Sequence, residues 1–150
     1  MSDPMTTDEI RENPDRKLVC VVDDDPVQRR ELADYLRYKG IRVNEIADGA
    51  LAVSEIDILK PALVLMDYKM PGCDGVRAAK FAQMLSPATM IVLMSSHPEA
   101  ADRANMTLPS PLPVLHKPLV LSQISDFVMN VLGTAGVSPQ GPETAAGAQG

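Results

Sequence analysis

Three short apolar runs constrain the fold of this chain more than any other feature. "LVCVV" (18–22), "ALVLMD" (62–67) and "TMIVLMS" (89–95) are apolar at nearly every consecutive position, and a shorter run, "PVLHK" (113–117), follows them. A strand with one wet face alternates apolar and polar residues. A run without alternation belongs to a strand covered on both faces, as in a parallel sheet sandwiched between helix layers. "IRVNEI" (41–46) is more polar and reads as an edge strand.

The segments between these runs carry helix signals. Asp25 and Pro26 read as N-cap and first helical residue, Leu32, Tyr35, Leu36 and Val27 as one face, and Gly40 as the stop. "ADGALAVSEIDILK" supplies a second helix with Leu51, Ile56 and Leu59 as core candidates, closed by Pro61. Asp74 can cap a third, whose apolar content is Val76, Ala79, Phe81 and Met84. A weak helix is expected around 97–106, and a last one capped by Ser122 with a stripe of Ile124, Phe127, Val128, Val131 and Leu132. Strictly alternating strands and helices predict an α/β doubly wound, five-stranded parallel sheet with right-handed crossovers.

The 150 residues are 45% hydrophobic, enough for one domain with its own core. That domain is expected over 17–132, with polar, Pro- or Gly-rich tails at 1–16 and 133–150 that cannot offset the entropy of ordering. A net charge of -6 argues against nucleic acid or anionic lipid as a partner, and aromatics at 3% argue against base stacking. No apolar run approaches the roughly 18 residues of a membrane span, and no signal-peptide pattern opens the chain, so a soluble, cytoplasmic protein is expected. Cys20 reads as a small buried hydrophobe and Cys73 as a bystander thiol in a loop.

In such sheets ligands bind beyond the carboxyl ends of the strands, where strand order reverses. The polar residues of this chain gather there: Asp23, Asp24 and Asp25 after the first strand, Asp67 after the third, Ser95 after the fourth, Lys117 after the fifth. Two carboxylates about 4 Å apart repel by roughly 4 kcal/mol at an effective dielectric of 20, so a cluster of three raises a pKa or recruits a cation. Oxygen-only donors in an open cleft favour Mg²⁺, and a lysine supplies a point charge suited to phosphate.

"VVDDDP" (21–26), "LVLMDYKMPGCDG" (63–75), "IVLMSS" (91–96) and "HKP" (116–118) together resemble the receiver domain of two-component response regulators, over about residues 17–132. The resemblance implies a flavodoxin-like (βα)5 fold with strand order 2-1-3-4-5. It implies that Asp67 is the phosphoacceptor, and that Asp24, Asp67 and the backbone carbonyl of Lys69 ligate Mg²⁺ with Asp23 acting through water. It further implies that Lys117 pairs with a phosphoryl oxygen, that Ser95 donates its hydroxyl to the phosphoryl group, and that the Lys117–Pro118 bond is cis. By the same resemblance, Lys69 and His97 fall at variable positions whose side chains are expected to shift the phosphoryl lifetime, the alternative for both being ordinary solvent-exposed loop chemistry. Val114 stands where the family commonly has an aromatic, which bears on how a signal leaves the site. The expected function is that of a single-domain response regulator. It would take a phosphoryl group from a histidine kinase or phosphotransfer protein, then switch contacts with a downstream protein or relay the group. Two alternatives are an aspartate-nucleophile phosphatase, which would typically place a second aspartate where Lys69 stands, and a degenerate receiver serving only as a binding module.

Overall fold

A computed structural model describes residues 17–108, 110 and 112–133; the tails expected at 1–16 and 134–150 lie outside the described residues. The chain runs β1 (Leu18–Val22), α1 (Pro26–Tyr38), β2 (Arg42–Ile46), α2 (Gly49–Leu59), β3 (Leu63–Asp67), β4 (Lys69–Met70), β5 (Cys73–Asp74), α3 (Gly75–Leu85), β6 (Met90–Ser95), α4 (Ala100–Thr107), β7 (Val114–His116) and α5 (Leu121–Leu132). Five strands form one parallel sheet in the order β2-β1-β3-β6-β7. Counting main strands alone, this is the expected 2-1-3-4-5, with the polar 41–46 run on an edge.

Every residue of β1 and β3 is buried, so the unbroken apolar runs do mark strands covered on both sides. Successive side chains alternate between the two helix layers. Cys20, Val22, Val64, Met66, Ile91 and Leu93 face the layer built from α2, α3 and α4. Val19, Val21, Leu63, Leu65, Val92 and Met94 face α1 and α5. The two half-cores fix β1, β3 and β6 in register, and with them the positions of whatever terminates each strand.

The helix starts follow local chemistry. The Asp25 carboxylate accepts from the N–H groups of Val27 and Gln28, and Asp74 accepts from Val76. Gly40, after α1, has φ +89°, a conformation that costs a residue with a Cβ far more than glycine. Gly75 is required by proximity: a Cβ there would meet the Tyr68 carbonyl oxygen at 2.8 Å and the Tyr68 Cα at 2.9 Å. Its absence lets α3 start directly against the end of β3.

Several expected core residues lie outside. Leu51, Phe81 and Met84 are exposed, at 49%, 46% and 63%. At about 100° per residue, they fall on the far side of their helices from Gly49, Ala52 and Ile56 in α2 and from Val76, Ala79 and Ala82 in α3. Small residues occupy the inner stripe of α3, and the large ones point to solvent. Val27 is also exposed, at 75%, since it sits in the first turn of α1, above the sheet. Ser122 does not cap α5. That helix starts at Leu121, which packs on the second half-core, and Val120 takes the cap position without a side-chain bond. Cys73 lies not in a loop but in the two-residue strand β5, paired with β4 and half-buried where α2 begins at Gly49.

Candidate functional site

Parallel pairing of β1 with β3 delivers their carboxylates to one place. Carboxylate oxygens of Asp23, Asp24 and Asp67 all lie within 4.8 Å of one another; Asp23 and Asp67 are buried and Asp24 is exposed. Lys117, directly after β7, donates from Nζ to Asp67 Oδ1 at 2.8 Å. One ammonium therefore faces three acidic groups. Burial raises the Asp67 pKa above the usual carboxylate range; the hydrogen bond and charge of Lys117 oppose that rise and the nearby Asp24 adds to it. Asp23 is raised for the same first reason, burial, with Asp67 and Asp24 adding repulsion that the Asp25 N–H and Lys117 only partly offset. The cluster is short of positive charge, and its donors are all oxygens. Those two properties fit Mg²⁺, with Asp23, Asp24 and Asp67 as the residues to hold it.

Asp25 stands apart from this cluster as the α1 cap, as expected. Ser95 is 1% exposed at the end of β6, and its backbone carbonyl accepts from the Lys117 N–H at 2.8 Å. The Ser95 hydroxyl, however, is engaged with its own turn: Oγ accepts from the His97 N–H at 2.8 Å and donates to the His97 carbonyl at 3.2 Å. Lys69 opens the β4–β5 hairpin two residues beyond Asp67, with its ammonium 5.9 Å from the Tyr68 ring centroid. His97 lies against the same ring, centroids 5.7 Å apart. The Lys117–Pro118 bond is cis.

Two contacts had no sequence signal. Gln28, in the first turn of α1, accepts from Lys117 Nζ at 3.2 Å and gives that ammonium a second partner. Arg29 donates to the carbonyl of Asp23 at 2.9 Å while its Nε binds Glu45 on β2, tying the acidic loop to the sheet edge. A crevice of about 480 Å³ opens beside the carboxylates between α1 and the β7–α5 connection, lined by Asp23, Gln28, Leu32, Lys117 and Pro118 among others.

This geometry agrees with what the chain is similar to. Residues 19–128 match the family model described as the response regulator receiver domain. The chain belongs to that family. Receiver domains are phosphoacceptor modules rather than turnover enzymes. A positive alginate biosynthesis regulatory protein of Pseudomonas aeruginosa is 38% identical over 90 residues, covering 57% of this chain and 36% of that protein. The transcriptional regulatory protein PdtaR of Mycobacterium tuberculosis is 38% identical over 88 residues, covering 57% of this chain and 43% of the relative. The chain thus spans about two fifths of the length of such relatives. Among solved structures, the Vibrio cholerae chemotaxis protein CheY4 superposes with TM-score 0.70 at 22% identity, covering 78% of this chain and 99% of that one. The receiver domain of NarL from Mycobacterium tuberculosis gives 0.67 at 30% identity, covering 77% and 94%. A receiver domain with an acidic pocket of Asp23, Asp24 and Asp67 is what the fold presents, and among the described residues no helix is long and apolar enough to cross a membrane.

Proposed function

We propose that this chain is a response regulator whose Asp67 accepts a phosphoryl group from a phosphohistidine on a kinase or phosphotransfer protein. The observation that carries this reading is Lys117 Nζ at 2.8 Å from Asp67 Oδ1, beside a pocket of three converging carboxylates. A capping or turn aspartate needs no such partner from a strand fifty residues away.

Each residue has work to do in that reaction. Asp67 Oδ attacks phosphorus, the P–N bond to the donor imidazole breaks, and the electron pair leaves with the imidazole nitrogen. An anionic nucleophile approaches an anionic phosphoryl group only when the charge between them is neutralised, and Lys117 is placed to do so by following the oxygens of Asp67. Asp23, Asp24, Asp67 and the backbone carbonyl of Lys69 would hold Mg²⁺, which supplies further neutralisation of the phosphoryl oxygens. Gln28 keeps the Lys117 ammonium over the pocket before the donor arrives. Ser95 must exchange its bond to the His97 carbonyl for one to a phosphoryl oxygen, so its hydroxyl engages only after transfer. Its release from that turn is the local change that a downstream protein partner in the cytoplasm would read.

The test is incubation with Mg²⁺ and acetyl phosphate followed by intact-mass measurement. The native chain is expected to gain one phosphoryl group and Asp67→Asn none, while Lys117→Ala is slowed on the order of 100-fold. Equal phosphorylation of the native chain and Asp67→Asn would contradict the assignment.

A further inference from the structure

The residue immediately after the phosphoacceptor anchors contacts that phosphoryl transfer does not use. Tyr68 is 2% exposed, and its backbone is pinned on both sides: its N–H donates to Met94 on β6 at 2.9 Å and its carbonyl accepts from Gly75 at 3.0 Å. Its hydroxyl accepts from Arg103 Nη1, on α4, at 3.3 Å. The same guanidinium donates from Nη2 to Asp74 Oδ2 at 2.6 Å, and Asp74 is the cap of α3. Arg103 Cζ also lies 5.8 Å from the centroid of the Tyr68 ring, whose surroundings include the Lys69 ammonium as well.

Helix α4 has little else to hold it. It spans eight residues, its N-cap makes no side-chain hydrogen bond, and it buries only Ala100 and Ala104. Among the described residues, the side-chain hydrogen bonds from α4 to other elements are the two made by Arg103. On the neighbouring strand, Val114 is half-buried and has no polar atom to register a change at the pocket.

We infer that Tyr68, Arg103 and Asp74 form a clamp through which the state of Asp67 reaches α4. This rests on the phosphoacceptor reading and adds its regulation. A phosphoryl group on Asp67 brings a charge of about −1.5 to −2 where a single carboxylate stood, one residue from Tyr68. Arg103 is poorly fixed against such a competitor, because its ion pair with Asp74 is half-exposed, and pairs of this kind are weak. The new negative charge draws the guanidinium away from the Tyr68 hydroxyl, and α4 loses its polar tie to the phosphoacceptor loop. The clamped form is therefore the unloaded one, and release is the output.

The test is hydrogen exchange by mass spectrometry on the α4 peptide, with and without Mg²⁺ and beryllofluoride. The proteins are the native chain, Tyr68→Phe, Arg103→Ala and Arg103→Lys. Loading is expected to speed exchange in native α4 by roughly threefold or more. Tyr68→Phe and Arg103→Ala are expected to show the loaded rate already without ligand and to respond little to it, with Arg103→Lys in between. Acetyl phosphate is expected to phosphorylate all four proteins, which separates the clamp from the chemistry. A native chain that is phosphorylated while its α4 exchange stays constant or slows overturns the clamp alone. So does a Tyr68→Phe protein that responds as fully as the native one. A native chain that takes no phosphoryl group overturns the phosphoacceptor reading and the clamp with it.

Discussion

Asp23 shows what the site costs the residue that belongs to it. It is 4% exposed and its pKa is raised, first by burial and then by the charges of Asp67 and Asp24. A carboxylate whose folded-state pKa lies above its unfolded value binds its proton more tightly in the folded chain, so once ionised it detracts from stability as pH rises through that value. At neutral pH, Asp23→Asn keeps the acceptor for the Asp25 N–H and removes the buried charge. The metal-free variant is expected to gain on the order of 1 kcal/mol, which is about 4 °C in Tm, and to show none of the Mg²⁺-dependent rise in Tm expected of the native chain. A metal-free Tm below that of the native chain would contradict this. The acidic residues were legible in the sequence because each ends an apolar run, and a parallel sheet gathers such ends. Gln28, Tyr68 and Arg103 were not, because their roles depend on which side chains the tertiary fold brings within 3.3 Å.

At the scale of elements, one carboxylate gathers three guanidinium groups of α1 onto the β2 edge, beside the apolar packing of Val43 on Leu32 and Leu36 and the Arg37 bond to the Val43 carbonyl. Glu45 accepts from Arg29 at 3.2 Å, Arg30 at 3.0 Å and Arg37 at 2.8 Å. Burial disfavours its charge, but the hydrogen bonds and charges of Arg37, Arg30 and Arg29 outweigh burial and hold its pKa below the usual range. Here the sign is opposite to that of Asp23. The stability Glu45 contributes is complete above its unfolded pKa of roughly 4.3 and is lost as pH falls through the lower folded value. Glu45→Gln is expected to cost about 2 kcal/mol in urea denaturation at pH 7 and much less near pH 3. A difference that is the same at both pH values would contradict the ion-pair account. Helix faces were the least legible elements. Apolar content marks where a helix runs, but its inner stripe follows the period, which in α3 selects Ala78, Ala79 and Ala82 over Phe81 and Met84. The start of α5 was misplaced because the packing of Leu121 outweighed the capping preference of Ser122.

For the whole molecule, the parallel sheet was readable because unbroken apolar runs alternate with helix signals, while its strand order came from the family resemblance; two half-cores share the same strands, and both must agree on register. That agreement brings three acidic groups together against one lysine, in a chain with net charge -6. The central claim is that this shortage of positive charge is what makes the pocket take up a divalent ion and then a phosphoryl group. The most direct measurement is a Mg²⁺ titration followed by backbone amide chemical shifts. One saturable site is expected at millimolar or lower concentration, with shifts centred on residues 23–25 and 67–69 and abolished in Asp24→Asn. Shifts that never saturate, or that persist unchanged in Asp24→Asn, would contradict it.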